Sequence, residues 1–168
     1  MNPSLELLLS NLKQYADVMD RLYPKFPGKY SSIHRLIAER GIAFDRKIKS
    51  PFIGKHGECY KNCFQMSSSW TQPELYYCEG FANYGELKLP LPHAWLVNHQ
   101  GEVIDPTWSK PESFIEPIYL GVVFDWDFVR KVAIESEIYG ILDNDLFGNH
   151  QVKRLGLAAA DLCPLFHN

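Results

Sequence analysis

The sequence predicts an α+β domain in which helices come first, a mainly antiparallel sheet follows, and helices close the chain. Three observations predict it. Apolar residues recur at three- and four-residue spacing near the start, through Leu5, Leu8, Leu12, Tyr15, Met19 and Leu22, the spacing of one helical face. From Leu75 to Phe124 the pattern changes to short runs rich in aromatic and β-branched residues, bounded by Pro, Gly or Asn, which reads as strands. After Asp125 the helical spacing returns. Helices and strands kept apart in this way point to α+β rather than to an alternating α/β fold. At 168 residues the chain has the size of one domain with a sizeable core, so a single domain over 1–168 is expected.

Each element has its own local signal. The first helix spans residues 4–22 and ends near Tyr23-Pro24. Pro24, Pro27 and Gly28 break the chain. Ser31 or Ser32 can then cap a second helix through Ile33, Leu36 and Ile37 that stops at Gly41. Residues 42–57, with Pro51, Gly54 and Gly57, read as mostly loop. A third helix is expected from Cys59 to about Ser69, just after the Gly57-Glu58 turn. Strands are expected at Leu75–Ala82, His93–Asn98, Gly101–Ile104 and Ile118–Phe124, the middle two joined as a hairpin through Asn98 to Gly101. Asp125 or Asp127 can cap a helix through Phe128, Val129, Val132, Ala133 and Ile134. Short helices near Ile138–Leu142 and Val152–Leu162 complete the chain.

Composition narrows the function classes. Apolar residues make up 46% and charged residues 22%, close to soluble proteins in general, so neither disorder nor a coiled coil is indicated. The formal charge is −3, and Lys and Arg are scattered, which removes the footprint of a nucleic-acid binder. The opening stretch carries Glu6 among its apolar residues and has no basic n-region, unlike a signal peptide. No stretch approaches the roughly 20 apolar residues that span a bilayer. The expectation is a cytoplasmic protein with no membrane contact, whose cysteines (Cys59, Cys63, Cys78 and Cys163) are free thiols.

Four strings carry the chemistry: Gly57-Glu58-Cys59-Tyr60-Lys61-Asn62, Tyr77-Cys78-Glu79-Gly80-Phe81, Pro92-His93-Ala94-Trp95 and Val103-Ile104-Asp105-Pro106-Thr107-Trp108. In order they supply a thiol at a helix start, an imidazole at a strand start and a carboxylate on the next strand. A helix N-terminus and a nearby imidazolium both stabilise a thiolate. A carboxylate fixes the tautomer of the imidazole. Pro106 holds Asp105 in extended backbone. Cys59, His93 and Asp105 are therefore the candidate nucleophile, base and orienting group.

The succession Cys-Tyr-x-Asn, Glu-Gly, His-Ala-Trp, Asp-Pro-Thr-Trp over residues 57–108 resembles the transglutaminase-like, papain-like superfamily of cysteine peptidases and acyltransferases. The small size and compact spacing look most like its bacterial or phage-encoded members. The resemblance implies a papain-like fold in which the helix bearing the cysteine packs on the sheet. It also implies a Cys-His-Asp order and an acyl-enzyme mechanism without metal or organic cofactor. The implied partner is a protein, peptide or small acyl substrate. One departure stands out. The papain branch places a glutamine shortly before the cysteine as an oxyanion donor, and Glu58 flanks Cys59 here, which leaves Asn62 or a backbone N–H for that role.

Each residue also has a plainer reading. Asp105 can simply end a strand in an Asp-Pro turn, and His93 can be a hydrogen-bonded core histidine. Cys63 can be a resolving thiol or a core residue. Glu79 and Gly80 are candidates to line the substrate pocket, or they mark a strand bulge. Asn62 is either a pocket donor or a solvated helix residue. Trp95 and Trp108 are candidate substrate platforms whose spacing along strands also fits burial. A zinc site from Cys59, Cys63, Cys78 and His93 is the rival constellation, although Cys-x3-Cys on one helix is an unusual chelating spacing. The same fold could also serve a non-catalytic protein that binds a small molecule or partner in this cleft.

Overall fold

The computed structural model describes residues 2–67, 74–83, 89–108 and 117–167. Among them the chain runs α1 (Pro3–Leu22), α2 (Ile33–Arg40), β1 (Ile42–Phe44), β2 (Lys47–Ile48), α3 (Cys59–Ser67), β3 (Tyr76–Asn83), β4 (Leu91–Val97), β5 (Val103–Ile104), β6 (Ile118–Val123), α4 (Trp126–Ser136) and α5 (Gln151–Leu155), with a 3₁₀ turn at Ala159–Asp161. This is a mixed α+β architecture. Its six-stranded sheet has the order β1-β6-β3-β4-β5-β2. Neighbours are antiparallel except β2 and β5, which are parallel.

The caps explain where the long helices begin. The Asn2 side chain accepts from the Ser4 N–H, Ser32 from Arg35, and Asp125 from Asp127 and Phe128, each satisfying a donor that a helix leaves free in its first turn. Arg35 of α2 reaches back to Asp17 and Asp20 of α1 at 2.5 and 2.6 Å, tying the two helices together.

Alternation along the strands sorts the core onto two faces. Leu8, Leu12, Leu36, Ile37, Cys63, Val129 and Val132 from the helices meet Tyr77, Phe81, Leu96, Leu120, Val122 and Phe124 of the sheet. The other face carries Phe44, Cys78, Trp95, Val97, Val103, Tyr119, Val123 and Cys163.

Residues 42–57 are mostly loop, as expected, but two short strands within them, β1 and β2, pair with β6 and β5. Runs of three and two residues are too short to show a period, and only distant partners make them strands. No helix forms at Ile138–Leu142. Glu137 ends α4 in the left-handed region and Gly140 has φ +116°, while the N–H groups of Ile141 and Leu142 donate to the Glu79 carboxylate at 2.9–3.0 Å. The expected helix at Val152–Leu162 is α5 followed by the separate 3₁₀ turn, divided at Gly156 with φ +78°. Ser68 and Ser69, placed at the end of the third helix, lie outside the described residues.

Candidate active site

Cys59 is the first residue of α3, where N–H groups have no intrahelical acceptor and the helix carries partial positive charge. The Glu58 carbonyl accepts from the Asn62 N–H at 2.9 Å, so the helix opens directly at the cysteine. Cys59 is half-buried, while Cys63, Cys78 and Cys163 are buried. Burial pushes the thiols of Cys63 and Cys78 well up. Of the four cysteines, the one at a helix start is the only one not buried.

His93 lies near the start of β4 and is 2% exposed. Its Nε2 is 2.9 Å from Asp105 Oδ2, which leaves Nδ1 as the ring atom free to meet the thiol. Burial alone would lower the imidazole pKa. Hydrogen bonds that the ring donates to Asp105 and Cys59, together with the charges of those groups, outweigh burial and hold it at about 9. The imidazolium is therefore the resting form at neutral pH. Asp105 follows β5 directly. Burial would raise its pKa, but His93, the Trp108 N–H and the Tyr119 hydroxyl hold it below the ordinary carboxylate value.

The bracing of Asp105 is complete. Oδ2 accepts from Tyr119 Oη at 2.9 Å as well as from His93. Oδ1 accepts from the N–H groups of Thr107 and Trp108, both at 2.9 Å. Four donors match the four lone-pair directions of a carboxylate, so the group is fixed and cannot swing away from the imidazole. The Trp108 ring stacks on His93 with centroids 3.8 Å apart and planes within 9°. The arrangement can hold an imidazolium next to a thiol, shielded from water on one face.

The other expected site residues have different work. Asn62 is buried, and both of its amide donors are used. Nδ2 donates to the Lys55 carbonyl at 2.8 Å and to Thr107 Oγ1 at 2.9 Å, and Oδ1 accepts from the Lys55 N–H at 3.2 Å. It joins the loop before α3 to the segment that cradles Asp105, and it is neither a pocket donor nor a solvated residue. Glu58 pairs with Lys55 and Lys61, and the Lys55 ammonium holds its carboxyl below the ordinary value. An ionised carboxylate has no hydrogen to donate, so Glu58 offers no donor beside Cys59.

Gly80 opposes Gly121 across β3 and β6. A Cβ on Gly80 would lie 2.2 Å from the Leu120 carbonyl oxygen, so a neighbouring strand, not a substrate, makes the close approach. Regular pairing through Glu79 and Gly80 also rules out a bulge there. Trp95 is fully buried against Tyr119 and Phe44, a core aromatic rather than a platform. Glu79 is 1% exposed and organises residues 141 and 142 through the bonds given above. The zinc alternative does not assemble: among the described residues no three His, Cys, Asp or Glu side chains are gathered to hold a metal ion.

Tyr119 and Thr107 are the residues that sequence reading missed as parts of the site. Tyr119 stands in a run of apolar strand residues, and only the pairing of β6 with β3 brings its hydroxyl to Asp105. No helix among the described residues is long and apolar enough to cross a membrane. Comparison with known proteins brings no relative to set beside this geometry: no family model, no curated protein and no solved structure matches the chain.

Proposed function

We propose that the chain is a cysteine-dependent hydrolase or acyltransferase that cleaves an amide or acyl bond through Cys59, His93 and Asp105, by way of a thioester. The observation that supports this best is the meeting of the accessible thiol at a helix N-terminus with a buried imidazole that a fully bonded carboxylate keeps protonated. The order of helix, sheet and site also agrees with a papain-like or transglutaminase-like arrangement. Free thiols agree with a cytoplasmic setting, where thiols stay reduced.

The Cys59 thiolate attacks the carbonyl carbon, and an S–C bond forms as the carbonyl electrons move to oxygen. N–H groups at the start of α3 receive that oxyanion. The His93 imidazolium gives its proton to the leaving nitrogen or oxygen as the bond to carbon breaks, and a thioester remains. Neutral His93 then takes a proton from water or an amine as it attacks the thioester. The S–C bond breaks, and thiolate and imidazolium are restored. Asp105 holds the ring through Nε2 in both halves of the cycle.

Iodoacetamide labelling at pH 6 tests the reading. An ordinary thiol is under roughly 1% ionised there. Cys59 should react at least ~10-fold faster than glutathione, since the thiolate is the reacting form, and His93→Ala should remove the advantage. A Cys59 no faster than glutathione, or unaffected by His93→Ala, contradicts it.

A further inference from the structure

Asn62 lies in α3 three residues after the nucleophile, is 6% exposed, and closes the first helical turn through its own N–H on the Glu58 carbonyl. The helix makes no demand on its side chain, and asparagine is a weak helix former. The side chain binds two other stretches of chain instead. Its amide pairs with both backbone polar groups of Lys55, accepting from the N–H at 3.2 Å and donating to the carbonyl at 2.8 Å. Nδ2 also donates to Thr107 Oγ1 at 2.9 Å. The loop before α3 closes on the same place by a further bond, from the Gly54 N–H to the Pro106 carbonyl at 2.8 Å.

Two observations show that this junction is both tight and tied to the site. A Cβ on Gly54 would lie 2.4 Å from Asn62 Cγ and 2.5 Å from Nδ2, so only glycine there leaves the amide its place. Thr107 is also the residue whose N–H holds Asp105 Oδ1 at 2.9 Å. A continuous path thus runs from the His93 ring through Asp105 to the Thr107 backbone, from the Thr107 hydroxyl to Asn62, and along one turn of α3 to Cys59. Sulfur and imidazole belong to separate elements, and a path of this kind sets how far apart they stand.

We infer that Asn62 is a positioning residue: it locks the helix that carries Cys59 to the segment that carries Asp105, and so fixes the Cys59 thiol against the His93 ring. The inference goes beyond the triad and rests on Cys59 being the nucleophile. A misplacement of about 1 Å is enough to cost a well-oriented reaction roughly 10²-fold, and the amide holds both segments without bringing a charge to the site. Aspartate has the same shape but no hydrogen for the Lys55 carbonyl, so it would set oxygen against oxygen there.

The test reads the thiol and the imidazole in the folded protein: the rate of iodoacetamide labelling of Cys59 at pH 6, and the NMR titration midpoint of the His93 ring. Thr107→Val removes the hydroxyl and keeps the shape, and Asn62→Asp removes the donor. Each should slow labelling at least about 10-fold and lower the His93 midpoint from about 9 toward 6.5. Thr107→Ser keeps the hydroxyl and should label at least about five-fold faster than Thr107→Val, the scale of one hydrogen bond. Ser136→Ala is the control for a lost buried hydrogen bond outside this network, since the Ser136 hydroxyl on α4 donates to the Val132 carbonyl at 2.7 Å and accepts from Asn144 Nδ2 at 2.8 Å. It should leave the labelling rate within about two-fold, as independent sites do. The Thr107 pair decides the matter if Asn62→Asp does not fold. Fast labelling and an unmoved midpoint in Thr107→Val overturn the positioning role while the thiol reading stands. So does Thr107→Ser labelling no faster than Thr107→Val, or Ser136→Ala slowing labelling as much as Thr107→Val, which would mean general loosening. Labelling of the unsubstituted protein no faster than glutathione overturns the thiol reading and the positioning role with it.

Discussion

Asp105 is the residue on which the site's geometry depends, because its two oxygens take four bonds at 2.9 Å and one of them fixes His93. Asp105→Asn keeps the size but presents an amide where a charge stood. We expect kcat/KM to fall by about 10³- to 10⁴-fold with the fold retained, measured once a substrate or active-site label is in hand. Tyr119→Phe removes one donor from a buried carboxylate and should cost about 1–3 kcal/mol in denaturant unfolding. It should leave Cys59 labelling within a few-fold of the original. At this scale the positions of Cys59 at a helix start, His93 near a strand start and Asp105 just after a strand were legible in the sequence, because Gly57, Pro92 and Pro106 stand beside them. Tyr119 was not, since a strand tyrosine becomes a donor to Asp105 only through pairing with residues far away in the chain. Asn62 and Gly80 stand in strings that suggest a pocket, but their close neighbours are Lys55 and Thr107 for the one and β6 for the other, and a local string does not say whether the close neighbour is a ligand or another strand.

Among the elements, the pairing of β3 with β6 sets the spacing on which the site is built. Gly80 and Gly121 face each other there, and a Cβ at either would press on backbone at 2.2 or 2.3 Å. Gly80→Ala should cost about 2–3 kcal/mol as the strands are forced apart, and it should slow Cys59 labelling as His93 moves. Glu79→Ala leaves the Ile141 and Leu142 N–H groups buried without an acceptor. The expected cost is about 3 kcal/mol, with residues 138–144 the first to lose hydrogen-exchange protection. The long helices and the four main strands could be read from the chain because periodicity and caps are local. The strands β1 and β2 and the loop at residues 138–142 could not, because their form is decided by β6, β5 and the Glu79 carboxylate.

Across the whole molecule, buried ionisable groups set the pH range of stability. Asp105 is depressed below its ordinary 3.8, so its contribution is present above that value and is lost as pH falls through the folded pKa. His93 is raised from 6.5 to about 9, so its contribution is whole below pH 6.5 and is lost as pH rises toward 9. Glu79 is raised above 4.5 by burial, so folding weakens as pH climbs through its folded pKa and the carboxylate must ionise. Thermal unfolding should therefore show maximum stability on the mildly acidic side, with a decline between pH 6.5 and 9 that His93→Gln removes. The central claim, that Cys59 and Asp105 together keep His93 protonated, is tested most directly by NMR titration of the His93 ring. The account predicts a midpoint near pH 9 that falls in both Cys59→Ala and Asp105→Asn. A midpoint near 6.5, or one that Cys59→Ala leaves unmoved, would contradict it.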